Sequence, residues 1–568
     1  MLSLRIRLCV LVLLFVAGCR TTENPTPSRE WDQFVADYLE AYFAAHPDTA
    51  VYEGRHEFDG KLPDFSRAGF DKEISRLHSA RAHASDFAEN LLDARQKFER
   101  QYVLAAIDSD LFWLESARWP YRNPFYYVWI LDPQVYLTRP YAPLDQRMRA
   151  FIAFENALPD AIHEIQANLQ SPMPKTYVDF GKRMFRGLAQ YFEHDVPGIF
   201  AEVKDPKLQS EFAAANRNAI RELKGIDNWF VSQQSQANDD FAIGADLFQK
   251  MLHATERVDV PLDRLEAIGR QDLERNLAAL KEACSQFAKS ATLAECTAKQ
   301  TADKPSSKPV EAAREQLKVL KAFVADKNLV SIPGTEEAQV NEAPPYARWN
   351  IAYITIPGPY EKGLPSIFYV SPPDPKWTEA KQRDYLPGKA QLLFISAHEV
   401  WPGHFLQFLH ANRVSSRFAQ VIVGYAYAEG WAHYAEEMMW DAGIGANDPE
   451  IHVGQLTEAL MRDVRFLSAI GLHTGHMSVA ESEKMFRESA FADPGNAQQQ
   501  AARGTFDPAY LNYTMGKLMI RKLRDDWTAT RGGRNGWREF HDQFLSFGGP
   551  PIPLVREAML GSSVGPPL

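Results

Sequence analysis

A mainly helical protein, two lobes around a deep cleft with a small β-sheet beside one buried helix, is what this sequence predicts. Three observations carry that expectation. Apolar residues recur at helical spacing through most of residues 31–250, and again in Leu262, Leu265, Ile268, Leu273, Leu277 and Leu280. Strand-like alternation breaks the habit at residues 349–356, which Pro357-Gly358-Pro359 turn, and again at residues 366–371. Just downstream, the apolar stretch 391–410 contains His398-Glu399-Val400-Trp401-Pro402-Gly403-His404, polar groups that are costly to bury without partners.

The chain begins with a leader. Arg5 and Arg7 precede an apolar run, residues 8–17, too short to be a good membrane-spanning helix, and Val16-Ala17-Gly18-Cys19 resembles a bacterial lipobox. Residues 1–18 therefore read as a signal peptide whose removal leaves Cys19 lipidated, with residues 19–30 as a Thr- and Pro-rich tether. Arg20 follows the cysteine; by resemblance to bacterial lipoprotein sorting this favours the outer membrane, facing the periplasm, with the lipid as the sole membrane contact. The plain alternative is an ordinary signal peptide with an incidental cysteine.

Residues 31–250 read as a helical N-terminal lobe and residues 251–568 as a catalytic lobe of the same domain. With Cys9 lost in the leader and Cys19 lipidated, Cys284 and Cys296 are left. An oxidising compartment makes a local disulfide between them plausible, two separate thiols being the alternative. So few cysteines speak against a thiolate metal site. Residues 297–309 (T-A-K-Q-T-A-D-K-P-S-S-K-P) read as a polar surface loop. The strands at 349–356 and 366–371 form either an edge that receives an extended substrate or a hairpin that merely packs.

The heptapeptide carries the chemistry. Two imidazoles with a carboxylate beside the first suit a zinc hydrolase, but the usual spacing of four residues is here six. On an unbroken helix His398 and His404 would diverge by about 120°, too far to close on one ion. Pro402 and Gly403 answer the objection by letting two residues loop out and return His404 to the metal. The competing reading ends the helix at Trp401 and leaves His404 as a cap. Glu429 favours the metal: it lies in a second helical pattern, 418–442, among apolar residues where a lone carboxylate would be costly. His433 and Glu436 share its helix face and are candidates to orient an imidazole, whereas Glu437 reads as solvated.

These residues carry a family resemblance. H-E-x-x-P-G-H followed by E-G-W-A-x-Y-A-E resembles the bacterial family catalogued as domain of unknown function 885, which is grouped with gluzincin-type zinc peptidases. Pro47, Ala50, Gly54, His56, Asp59 and Asp64 resemble its opening motif. Arg465 to His473 resembles its R-L-V-V-D-T-G-I-H segment, and Tyr513, Gly516, Leu518, Ile520, Leu523 and Arg524 its closing motif. Two positions depart: Ala469 stands where Asp is usual, and Phe405 where a second histidine is common. The resemblance implies a two-lobed zincin-like metallopeptidase fold. It also makes Tyr513 and His473 candidate donors to a tetrahedral oxyanion, and Arg465 and Arg524 candidates to bind a substrate carboxylate. Their bland readings are packing for Tyr513, a core or capping histidine for His473, and structural ion pairs for the arginines.

The functional expectation is a lipid-anchored zinc metallohydrolase cleaving peptide bonds. His398, His404 and Glu429 hold Zn2+, and Glu399 is the general base. Its partner is a peptide or amide substrate. A zinc amidase acting on cell-wall or other non-standard amides is the enzyme alternative, and an inactive envelope binding lipoprotein is the alternative of another class. A formal charge of −11, or −13 once Arg5 and Arg7 leave with the leader, gives no support for nucleic-acid binding.

Overall fold

The computed structural model describes residues 27–344, 348, 351–373, 376–561 and 565–568. The leader, Cys19 and residues 20–26 of the tether lie outside the described residues. The fold is mainly helical with one three-stranded sheet.

Periodicity translates directly into the long helices. Leu144–Asn168, Lys175–His194 and Pro206–Gln233 pack side by side, burying Phe151, Phe192 and Phe212 in one apolar cluster. The predicted leucine stripe forms Leu262–Phe287, whose Leu265, Leu273 and Leu280 lie in a second cluster. That helix packs along Pro449–Thr474, which Asp448 starts by capping Glu450 N, with Pro449 at its first position, and Gly475 stops at φ 84°. Phe418 and Val421 join the first cluster although they lie late in the chain, so the N-terminal helices are tied to the segment between the two motif helices.

Cys284 and Cys296 form a disulfide, with Cα atoms 5.9 Å apart. The segment expected as a polar loop is helical at its start, because helix Leu293–Ala302 begins before it. Thr292 and Glu295 cap that helix reciprocally, while the disulfide and buried Thr297 and Gln300 hold it down.

In the sheet, β1 (Ala338–Glu342) runs parallel to the central β3 (Ser366–Val370), and β2 (Ala352–Thr355) pairs antiparallel with β3, Ala352 opposite Val370 and Thr355 opposite Ile367. Every residue of β3 is buried, as its apolar run predicts. β1 escaped the sequence reading because its A-Q-V-N-E buries Val340 alone, too little for an alternation to show. Among the described residues no helix is long and apolar enough to cross a membrane.

Candidate metal centre

Helix Lys389–Glu399 presents His398 and Glu399 on its final turn. The chain then leaves helical geometry at Val400, with φ −125° and ψ −74°, and a new helix, His404–Ala411, begins on the second histidine. Gly403 lets the loop fold back onto the helix it has left. Its N–H donates to Ala397 O at 2.9 Å, and a Cβ there would lie 1.7 Å from His398 O. Pro402 contributes its carbonyl, which accepts a hydrogen bond from Trp431 Nε1 at 2.9 Å and so pins the loop to the helix bearing Glu429. The looped-out Pro-Gly therefore does return His404, through a break between two helices rather than a bulge in one.

The stretch 418–442 also divides. Arg417–Val421 and Tyr425–Asp441 are separate helices, because Gly424 N turns aside to bond Gly549 O at 2.7 Å. Tyr425–Asp441 crosses Asn512–Thr528 at Gly430 and Gly516, where a Cβ on Gly430 would meet Gly516 Cα at 2.5 Å. This close crossing brings Glu429 and Tyr513 into one cleft.

His398, His404 and Glu429 converge: a nitrogen or oxygen of each lies within 4.8 Å of the others. Glu429 Oε2 is 3.3 Å from His398 Nε2 and 3.4 Å from His404 Nε2. Zinc bonds of about 2.0–2.2 Å at tetrahedral angles put ligand atoms about 3.3–3.6 Å apart. Glu429 Oε2 is buried and accepts no well-formed hydrogen bond, although two ring nitrogens face it. A divalent cation among these atoms would satisfy all three, so the donor set fits zinc.

Electrostatics agree. Burial works to raise the Glu429 pKa, yet His404 and His398 hold it well below the usual carboxylate range. Burial opposes a charge on His398, but the carboxylates of Glu429 and Glu436 push its pKa up to about 9.

Behind these three residues, Glu436 Oε1 lies 2.7 Å from His398 Nδ1, a contact that would orient the ring with Nε2 toward Glu429 and His404. Arg462 Nη2 sits 3.3 Å from the same Glu436 oxygen and is itself anchored by Glu458. His433 stands 3.5 Å from Glu436 and makes no hydrogen bond; burial and Lys517 lower its pKa to about 3. The expectation of a solvated Glu437 is wrong. It is buried, 2.9 Å from both Arg275 and Arg521 and 3.6 Å from Lys517, three cations brought by other helices.

The cleft has a volume of about 2180 Å³ and is lined by Glu399, Tyr513 and Arg465 as well as His398, His404 and Glu429. Glu399 is raised above its ordinary value by burial, against the pull of His398 and His404. The Tyr513 ring lies 6.3 Å from that of His398. His473 and Arg524 do not reach the cleft, which corrects both expectations. His473 is fully buried between Phe248 and Phe241, its Nε2 2.7 Å from Gly504 O, and burial lowers its pKa to about 4. Arg524 donates to Asp525 and to the Tyr434 hydroxyl and stacks over Trp537, so it has the structural ion-pair role. Arg462 and Arg503, which the sequence reading missed, do line the cleft. Arg462 was findable, being three residues before Arg465 on the same helix face.

The family model of DUF885, a bacterial protein of unknown function, matches residues 47–559. The chain belongs to that family. No curated protein matches this DUF885 chain. Among the solved structures that share its fold are these two. One, from Shewanella oneidensis and described as a lipoprotein of unknown function, is 21% identical with a TM-score of 0.77, covering 93% of this chain and 99% of its own. The other, a protein from Colwellia psychrerythraea described as a lipoprotein, is 16% identical with a TM-score of 0.78, covering 94% and 98%.

Proposed function

We propose that this DUF885 protein is a zinc-dependent metallohydrolase that cleaves peptide bonds, with a two-lobed zincin-like arrangement, held at the cell envelope by a lipid on Cys19. The observation that carries the reading is the convergence of His398, His404 and Glu429 at zinc-ligand separations, with Glu399 in the same cleft. The lipobox-like Val16 to Cys19 and the two structural neighbours described as lipoproteins support the anchor, with the outer membrane, facing the periplasm, as its place.

Zinc, when bound, supplies a Lewis acid that polarises a carbonyl and lowers the pKa of water. Glu399, whose basicity burial raises, takes a proton from the attacking water and passes it to the leaving amine. Tyr513, close to His398 and kept protonated by burial, donates to the oxygen that gains charge. The β2 residues Ala352–Thr355 lie along the cleft and pair with β3 on one side, so their other edge offers backbone hydrogen bonds to an extended substrate. The second reading, a zinc amidase on cell-wall peptides, is favoured by Trp129. It lines the cleft at 54% exposure, and an aromatic face there suits a sugar ring.

The test is metal analysis of the parent and of His404→Ala, with hydrolysis of a peptide pool and of muropeptides. One zinc per parent chain and little in the variant are expected; stoichiometric zinc in both would show the site to be misdrawn. Glu399→Gln should keep its zinc and lose about 10²–10⁴-fold in rate. Zinc retained by a parent that hydrolyses neither substrate makes the protein a binding lipoprotein.

A further inference from the structure

Three guanidinium groups surround Tyr513 on the cleft wall, those of Arg465, Arg503 and Arg462 lying 4.9, 5.8 and 5.9 Å from its ring centre. Two have carboxylate partners. Arg462 is held by Glu458 and Glu436, and Arg503 by Asp507 at 2.9 Å, with the Tyr425 hydroxyl at 3.0 Å. Arg465 is different. Its Nε donates to Gln500 Oε1 at 2.8 Å, and no carboxylate among the described residues pairs with it. Burial and the neighbouring Arg503 and Arg462 press against its charge, but a guanidinium stays protonated throughout the working pH range. The cleft wall thus carries a cation whose forked donors match a carboxylate that the chain does not provide.

Its position gives that carboxylate a meaning. Arg465 stands 4.9 Å from the centre of a ring that is itself 6.3 Å from the ring of a metal ligand. An extended peptide advances about 3.3–3.6 Å per residue. The two separations keep the Arg465 guanidinium within about 11 Å of the His398 ring, and a guanidinium–carboxylate contact takes up about 4 Å of that, so a carboxylate on Arg465 belongs to a chain that ends one or two residues beyond an amide placed over His398, His404 and Glu429.

We infer that Arg465 binds the free α-carboxylate of the substrate, and that the protein is an exopeptidase releasing one or two residues from peptide C-termini. The inference rests on the metallohydrolase reading above. In the step, water oxygen bonds to the carbonyl carbon and the amide C–N bond breaks. The water proton passes through Glu399 to the amine, which departs as the N-terminus of the fragment held by Arg465. The new carboxylate stays on the longer product.

The experiment uses the zinc-loaded full chain and N-acylated tripeptides and tetrapeptides, each as free acid and as C-terminal amide. The free acid should exceed the amide in kcat/KM on the order of 100-fold, the loss expected when a charged, desolvated pair is broken. Mass spectrometry should show released fragments of one or two residues. Arg465→Gln should bring the acid-to-amide ratio close to one, and Arg465→Lys should recover part of it, with circular dichroism confirming the fold of both. Equal cleavage of acid and amide by the parent, or fragments cut from the interior or the N-terminus, overturns the inference.

Binding separates this inference from its premise. Calorimetry of the same peptides on zinc-loaded Glu399→Gln should show the acid held at least tenfold tighter than the amide, with the difference lost when Arg465→Gln is added. Equal binding overturns the carboxylate site even where the parent hydrolyses peptides. Selective binding by a protein whose parent hydrolyses nothing overturns the metallohydrolase reading, and the exopeptidase with it.

Discussion

Glu436 and Glu437 are neighbours in sequence with opposite duties. Glu436 lies seven residues beyond Glu429, two helical turns, and so shares the face that looks at His398. One step round the helix, Glu437 meets Lys517, Arg275 and Arg521 instead, which hold its pKa at about 2 although burial acts to raise it. If the Glu436 contact orients His398 for a metal, Glu436→Gln should weaken zinc binding about 10–100-fold in competition with a chelator, with little change in fold. Unchanged affinity would make the contact a packing detail. The candidate ligands were legible because their residue types are rare in an apolar run and their spacing poses a definite geometric question. The cations that bury Glu437 were not, because Lys517, Arg521 and Arg275 stand 80, 84 and 162 residues away in sequence.

At the scale of elements, the motif glycines make the site possible. Gly403 closes the loop against His398 O, and Gly430 lets the Glu429 helix touch the Tyr513 helix, as Gly516 does from the other side. Gly430→Ala places a methyl group 2.5 Å from Gly516 Cα, where backbone cannot yield. The expected cost is about 1–3 kcal/mol in urea unfolding, with a loss of zinc as Glu429 is displaced. Full stability in the variant would mean the crossing is looser than it looks. Helix periodicity made the long elements readable. Helix ends at Val421 and Glu399 depended on contacts with Gly549 and on the Pro-Gly loop, which no local pattern announces.

Across the whole molecule, His56 connects the family's opening motif to the sheet. It lies 3.0 Å from Asp59 and 3.2 Å from Glu361, in the connection between β2 and β3, and stacks on Tyr141 at 3.6 Å, while Arg139 holds the other Glu361 oxygen at 2.7 Å. Burial opposes its charge, but the two carboxylates raise its pKa to about 9. A folded pKa above the free value of 6.5 stabilises the protein fully below about pH 6.5, and the benefit is lost as pH rises through about 9. Allowing for solvent screening, the contribution is about 1–2 kcal/mol. His56→Ala should therefore narrow the stability difference between pH 6 and pH 10; identical pH dependence of Tm in parent and variant would show that the latch contributes nothing. The Cys284–Cys296 disulfide acts on the unfolded chain instead, and Cys284→Ser should cost about 3 kcal/mol while leaving zinc content alone.

By itself the sequence determined the helical character and the two principal strands of the sheet, and it singled out His398, His404 and Glu429 as candidate metal donors, because periodicity and ligand chemistry are local properties of the chain. The tertiary structure decided which residues of the family segments serve the cleft. His473 is on the helix of Arg465, about 12 Å further along and about 80° round, so it points into a bed of phenylalanines. Arg524 is on the face of Tyr513 but about 16 Å down the axis, past the end of the cleft. Each has the right chemistry in a familiar segment, and the face and height at which neighbouring helices bury it place it out of reach.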